Sequence, residues 1–261
     1  MAIEVFNRFE KKYMLGDNTF GKLQNRLSEY MRPDDHNGDK DTYTITNLYY
    51  DTPDNHLIRT SLEKPKYKEK LRLRAYGTSN SDAQVYVEIK KKVAGLVNKR
   101  RSTIELQEAY AFLHSGIMPE ERPWQNRQVL REISYILRTH ELHPALYLTY
   151  ERRAYVGIDQ PDLRVSFDRD IRTRRHDLAL EAGDHGSPLL EKGRWIMEIK
   201  VAKNIPLWLC GLLSEYRIYP ITFSKYGTEY MKTLEEAKTS SPLRGFLTQE
   251  NAWPCPATAY A

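Results

Sequence analysis

Residues 66–93 read KYKEKLRLRAYGTSNSDAQVYVEIKKKV. Strand side chains alternate between faces. Lys68, Lys70, Arg72 and Arg74 therefore share one face, with Leu71, Leu73 and Ala75 opposite. After a short polar turn, Tyr86, Glu88, Lys90 and Lys92 share a face backed by Val85, Val87 and Ile89. Alone, this is a half-buried hairpin with a solvated charged side. The fold depends on whether the rest of the chain repeats the pattern.

It does. Arg8, Glu10 and Lys12 lie on one face of a strand expected over residues 4–15. Tyr150 and Arg152 share a face, as do Arg164, Ser166 and Asp168, which are backed by Leu163, Val165 and Phe167. Glu198 and Lys200 alternate with Met197, Ile199 and Val201. Further strands are expected at 43–51 and 97–106, and a second hairpin at 145–158 and 163–172. Apolar residues at helical spacing predict a helix opened by Asp17 as its cap (Phe20, Leu23, Leu27, Met31). Others are expected at 107–115, 123–139, 206–216 and 225–237, with a short helix or turn at 57–62.

The class is α+β. About eight antiparallel strands suffice to close a barrel that holds a small ligand. Amphipathic helices need an apolar face to dock on, and the strands offer one. The expectation is a closed eight-stranded antiparallel barrel with helices outside and charges inside. An interior crowded with Lys and Arg needs partners for its charges, and it becomes sensible if a polyanion and a metal are what the interior receives.

The chain has 261 residues, 40% hydrophobic and 29% charged, which argues against disorder. Its 40 basic and 35 acidic residues leave a net charge of +5, a weak hint of an anionic partner. One folded unit over 1–237 is expected, followed by a mobile tail at 238–261. Two cysteines, Cys210 and Cys255, make no disulfide framework and fit a reducing cytoplasm. Cys210 is expected in the core. No signal peptide is expected, and the apolar run at 205–213 is about half the ~20 residues of a membrane span. His140 and His143 lack partners for a zinc site. The 18 tyrosines could stack bases, but no RNP, KH or zinc-finger pattern accompanies them, and nucleic acid is not an expected partner.

Several short motifs occur in a fixed order. They are R-x-E-x-K-Y at Arg8–Tyr13, YYDTP at Tyr49–Pro53, KLRLR at Lys70–Arg74 and E-x-K at Glu88–Lys90. Tyr150-x-Arg152, RVSFD at Arg164–Asp168, MEIK at Met197–Lys200 and Ser224-Lys225-Tyr226 follow. Together they resemble the triphosphate tunnel metalloenzyme superfamily, in particular its vacuolar transporter chaperone (VTC) branch of polyphosphate polymerases. The resemblance runs from about residue 4 to residue 237.

It implies an eight-stranded tunnel that binds a triphosphate such as ATP, inorganic polyphosphate and a divalent metal, Mn²⁺ or Mg²⁺. By position, Lys12, Arg72, Arg74, Lys90, Arg152, Arg164 and Lys225 match the family's phosphate-binding, catalytic residues. Tyr150 and Ser224 match polar lining residues, and Arg8, Lys99 and Lys200 are further candidate substrate contacts. Glu198 matches the metal-binding carboxylate. Glu10 and Glu88 are secondary metal candidates, with orientation of Lys and Arg side chains as their other role. Hydrolytic CYTH relatives usually begin E-x-E-x-K, whereas here Arg8 takes the first acidic position. That exchange favours polyphosphate synthesis from ATP over triphosphate hydrolysis. A non-catalytic polyphosphate or nucleic-acid binding module is the reading from another class.

Overall fold

The computed structural model describes residues 9–37, 42–77, 80, 82–94 and 96–240; Arg8 and the tail beyond 240 lie outside the described residues. The chain opens with β1 (Phe9–Gly16) and α1 (Asp17–Leu27), followed by β2 (Met31–Pro33), β3 (Tyr43–Asp51) and α2 (His56–Leu62). The hairpin β4 (Tyr67–Tyr76) and β5 (Gln84–Val93) continues into β6 (Leu96–Glu105), α3 (Leu106–Ser115) and α4 (Arg127–Thr139). Then come β7 (His143–Gly157), β8 (Arg164–Arg174), β9 (Ser187–Pro188) and β10 (Arg194–Val201). Helix α5 (Leu207–Glu215), β11 (Pro220–Ile221) and α6 (Lys225–Ser240) complete the described fold. No described helix is long and apolar enough to cross a membrane.

All pairings are antiparallel, in a single 11-stranded sheet ordered β11-β1-β10-β8-β7-β3-β4-β5-β6, with β2 on β7 and β9 on β8. Setting aside β2, β9 and β11, each three residues or fewer, leaves the eight strands expected from the alternation. The expected closure is not found. Among the described residues the order ends at β6 and β11, which do not pair with each other. The chemistry of both ends discourages pairing. β11 is two residues long and contains Pro220, which has no N–H to donate. β6 carries Lys99, Arg100 and Arg101, charges of the kind that blunt an exposed edge.

The sheet nevertheless curls enough for its two ends to face each other. Lys70 of β4 donates to Ser224 Oγ, just before α6, at 3.4 Å. Glu10 and Lys12 of β1 act electrostatically on Lys90 of β5. Where β7 meets β8 the register shifts around Thr149 and Glu151. Asp170, left-handed at φ 48°, is the extra residue that makes the bend.

The apolar faces lie where the alternation puts them. Leu71, Leu73, Val85, Val87 and Ile89 pack under Phe112 of α3 and Leu130 and Ile133 of α4. Val165, Phe167, Met197 and Ile199 pack under Phe20, Leu23 and Leu27 of α1 and Leu209 and Leu212 of α5. The burial of about ten such side chains, each stabilising by roughly 1.5–3 kcal/mol, fixes which face of each strand turns outward.

Not every helix is outside. Tyr226 and Tyr230 of α6 and Ile58 of α2 join a third cluster with Ile45, Tyr49, Leu146, Leu148 and Ile196. Those strand positions share the charged face but are apolar, so part of the inner surface needs cover, and α6 supplies it. Two expectations about side chains also change. Cys210 is exposed, because Leu209, Leu212 and Leu213 form the buried stripe of α5. Asp17 does not cap α1; Gly16 holds the cap position, and Asp17 Oδ1 accepts from Trp195 Nε1 at 2.7 Å.

Helix α6 is fixed by buried polar contacts. Asp51 Oδ2 accepts from the Tyr226 hydroxyl at 2.8 Å and from Ile58 N at 3.0 Å, while Oδ1 accepts from Leu57 N at 2.8 Å. Arg175 forms a two-pronged bond with Glu229, both contacts 2.8 Å. One carboxylate thus serves the exposed N–H groups at the start of α2 and also anchors α6.

Candidate functional site

The charged face of β4 and β5 is built around Glu88. Its Oε2 accepts from Arg72 Nε at 2.8 Å and Nη2 at 2.7 Å, and Arg74 Nε stands 3.7 Å away. Lys99 of β6 approaches the other oxygen at 2.8 Å. Burial alone would raise the Glu88 pKa, but Arg72, Arg74 and Lys99 hold it well below the usual carboxylate range. Arg72 Nη1 donates to the Tyr49 hydroxyl at 2.9 Å, and Arg74 Nε to Asn47 Oδ1 at 3.0 Å. The two guanidiniums are therefore held by fixed partners on β3 and β5.

A second group forms where β7, β8 and α6 meet. Arg152 donates Nε and Nη2 to the two oxygens of fully buried Asp168, at 2.7 and 2.9 Å. Lys225, the first residue of α6, reaches Asp168 Oδ2 at 2.5 Å, with its ammonium 4.3 Å from the Tyr150 ring centre. Burial works to raise the Asp168 pKa, yet Arg152 and Lys225 lower it.

The third group lies on β1 and β10. Lys12 and Glu198 are register partners, and Glu198 bonds Lys200 at 2.6 Å while Glu10 lies 3.3 Å from Lys12. Burial opposes the Lys12 charge, but Glu198 and Glu10 outweigh it and raise its pKa. Lys90 stands between this group and the first. Its side chain reaches solvent, yet burial among protein atoms lowers its pKa.

The VTC domain family model matches residues 7–234. The chain belongs to the VTC domain family. The motif resemblance to the VTC branch therefore holds for the family. No curated protein sequence matches the chain. Among solved structures, a candidate adenylate cyclase from Bacillus halodurans is similar at 16% identity and TM-score 0.51, covering 94% of this chain and 100% of its own. A candidate adenylyl cyclase from Hippeastrum, described as having a dominant triphosphatase activity, is 17% identical at TM-score 0.46 and covers 90% and 97%. The PH1819 protein of Pyrococcus horikoshii is 13% identical at TM-score 0.44 and covers 88% and 99%.

Within this VTC domain, Lys12, Arg72, Arg74, Lys90 and Arg152 stand on the same face of the curled sheet, with Lys99, Tyr150 and Lys200 beside them, and Lys225 and Ser224 reach that face through Asp168 and Lys70. Arg164 is peripheral: its side chain is half exposed and its nearest acid, Asp34, is 3.7 Å away. Arg100 turns to the outer face and pairs with Glu132 of α4. Three members were not singled out from sequence. Lys70 was legible, standing two residues from Arg72 on the same face. Tyr49 and Asn47 were not, because β3 alternates among uncharged residues and gives no charge signal.

A divalent metal fits part of the proposed donor set. Both oxygens of Glu88 face cations, so that carboxylate serves the arginines. Glu198 and Glu10 surround Lys12 and both act on Lys90. Glu198 and Glu10 are the carboxylates that would hold a hard ion such as Mg²⁺ or Mn²⁺, and Lys200, 2.6 Å from Glu198, would have to yield one oxygen to it. Among the described residues, the one converging group of three metal-ligating side chains is His176, Asp177 and His185, all exposed and none among these side chains.

The crowding of cations has a measurable consequence. Burial, reinforced by Lys90, pushes Lys70 down to about 8; burial, reinforced by Arg74, pushes Lys99 down to about 7. Both sit below the 10.5 of a free lysine, so between those values the unfolded chain binds more protons than the folded one. Their contribution makes stability rise with pH from about 7 toward 10.5. Thermal melts across pH 7–9.5 are expected to show that rise, flattened by saturating inorganic triphosphate, which favours the charged lysines. Equal slopes with and without triphosphate would show that the anion does not meet these lysines.

Proposed function

We propose that the chain is a metal-dependent polyphosphate polymerase that transfers the ATP γ-phosphate to a growing inorganic polyphosphate chain. The observation that carries this reading is the convergence of Lys12, Arg72, Arg74, Lys90, Arg152 and Lys225, drawn from four strands and one helix, on the charged face of the curled sheet. Arg grips phosphate oxygens in pairs and Lys acts as a point charge. Phosphoryl transfer needs alignment and charge stabilisation more than covalent help. Glu198 and Glu10 would hold Mn²⁺ or Mg²⁺, which would supply neutralisation of phosphate charge.

The carboxylates favour synthesis over hydrolysis. Glu88, Asp168 and Glu198 are each held below the usual range by adjacent cations. None is tuned toward neutrality, where a general base activating water works best. A polyphosphate end is already ionised and needs no such base. A triphosphatase of the same fold is the second reading, and a binding module without chemistry the third.

One assay separates them. The protein is incubated with ATP and Mn²⁺, and the product is run on a gel stained for polyphosphate. A ladder is the expected result. Phosphate release without a ladder indicates hydrolysis, and retained anion binding with neither product indicates the binding module. Full activity in Glu198→Ala would overturn the assignment of the site.

A further inference from the structure

The charged face does not end at Arg74 and Lys99. Tyr76 follows Arg74 on the same face of β4, Tyr86 precedes Glu88 on β5, and Arg101 follows Lys99 on β6. Registers bring them together: Arg74 is opposite Tyr86, and Glu88 is opposite Arg101. Tyr43 of β3 closes the group from the other side. The Tyr43 and Tyr76 rings lie 6.1 Å apart, and Tyr76 meets Tyr86 edge-on at 5.8 Å. The Arg101 guanidinium covers the Tyr86 ring at 4.4 Å. Tyr76 is 38% exposed.

We infer that Tyr76, walled by Tyr43, Tyr86 and Arg101, is a stacking platform for the base of a nucleoside triphosphate whose phosphates lie on Arg72 and Arg74. The inference rests on the proposed function and names the part of the substrate that the phosphate cradle cannot read. Residues two apart on a strand are about 7 Å apart, so Tyr76 stands one ribose's length beyond Arg74. Aromatic and guanidinium planes hold a base through its π-face without reading its identity. Inorganic triphosphate and polyphosphate have no group for such a surface, so the cluster serves the donor and not the growing product.

Binding of ATP and of inorganic triphosphate is measured by calorimetry for the wild type, Tyr76→Ala, Tyr86→Ala and Tyr76→Phe. Tyr76→Ala is expected to weaken ATP by about tenfold or more and to leave inorganic triphosphate unchanged. Tyr76→Phe is expected to bind both as the wild type does. Retained triphosphate binding certifies that each variant is folded. If both ligands weaken equally, or neither weakens, the platform is overturned while the phosphate site stands. If the wild type binds neither ligand, the proposed function falls and the platform with it.

Discussion

Arg72→Ala is expected to slow phosphoryl transfer by about 10² to 10³-fold, the usual loss when one preorganised donor to developing charge is removed. Three of the side chain's nitrogens are already aimed by Glu88 and Tyr49, at 2.7, 2.8 and 2.9 Å. The guanidinium thus pays little reorganisation on meeting a phosphate. Arg72→Lys separates charge from geometry, since it keeps the cation and loses the fork. It is expected to recover only a minor part of the rate. Stability should also fall, by roughly 1–3 kcal/mol, the cost of leaving a buried acceptor short of partners. Arg74 and Lys99 remain near Glu88, which limits the loss. Initial rates and thermal melts on the same preparations check both effects. An unchanged rate would place the phosphates elsewhere.

Asp168→Asn is expected to damage folding more than any other substitution in the site. The carboxylate is fully buried and neutralises Arg152 and Lys225 together. Removing one member of a buried ion pair typically costs about 3–5 kcal/mol, because the remaining charge is left uncompensated. Here two cations are stranded. A polyanion can replace what was lost, so inorganic triphosphate should raise the melting temperature of the variant more than that of the wild type. The pH dependence has a definite sign. Arg152 and Lys225 depress the folded-state pKa below the ordinary 3.8. The stability difference between wild type and variant is therefore full above that value and shrinks as pH falls through the depressed one. A gap that persisted unchanged into strong acid would mean that Asp168 acts by shape and not by charge.

Much of this site is legible in sequence because a period of two is hard to mistake when one face is Lys and Arg and the other Leu and Val. The hairpin at 66–93, Lys12, Arg152 and Glu198 all follow from that rule. Closure did not follow. Whether the last strands meet depends on a two-residue β11 ending in Pro220 and Ile221, and on the charged edge of β6, neither of which periodicity reports. The position of α6 was hidden for a related reason. Its stripe looks like that of any docking helix, and only the apolar residues Ile45, Leu146 and Leu148 on the charged face explain why it lies inside. Asp51 closes β3 and Asp168 makes ion pairs, roles that a strand end and a charged face suggest. Their choice of partners, Tyr226 and Lys225, spans more than 50 residues and belongs to the tertiary structure.

Among the described residues the two ends of the sheet do not pair with each other, and this bears on how a polymer would meet the surface. A ring of strands sewn shut can be entered only by a chain end, so a long product would have to be threaded and could leave only by sliding. A sheet whose first and last strands share no hydrogen bonds imposes no such topology. Side chains such as Lys70 and Ser224 reach across the seam, but a side-chain contact of 3.4 Å yields far more readily than a ladder of backbone bonds. A long polyanion could then be laid in from the side at an interior segment, and released the same way. For the proposed polymerase, chain length and retention of the product would be governed by how often the seam parts, a property of the sheet's edges and not of the phosphate-facing side chains.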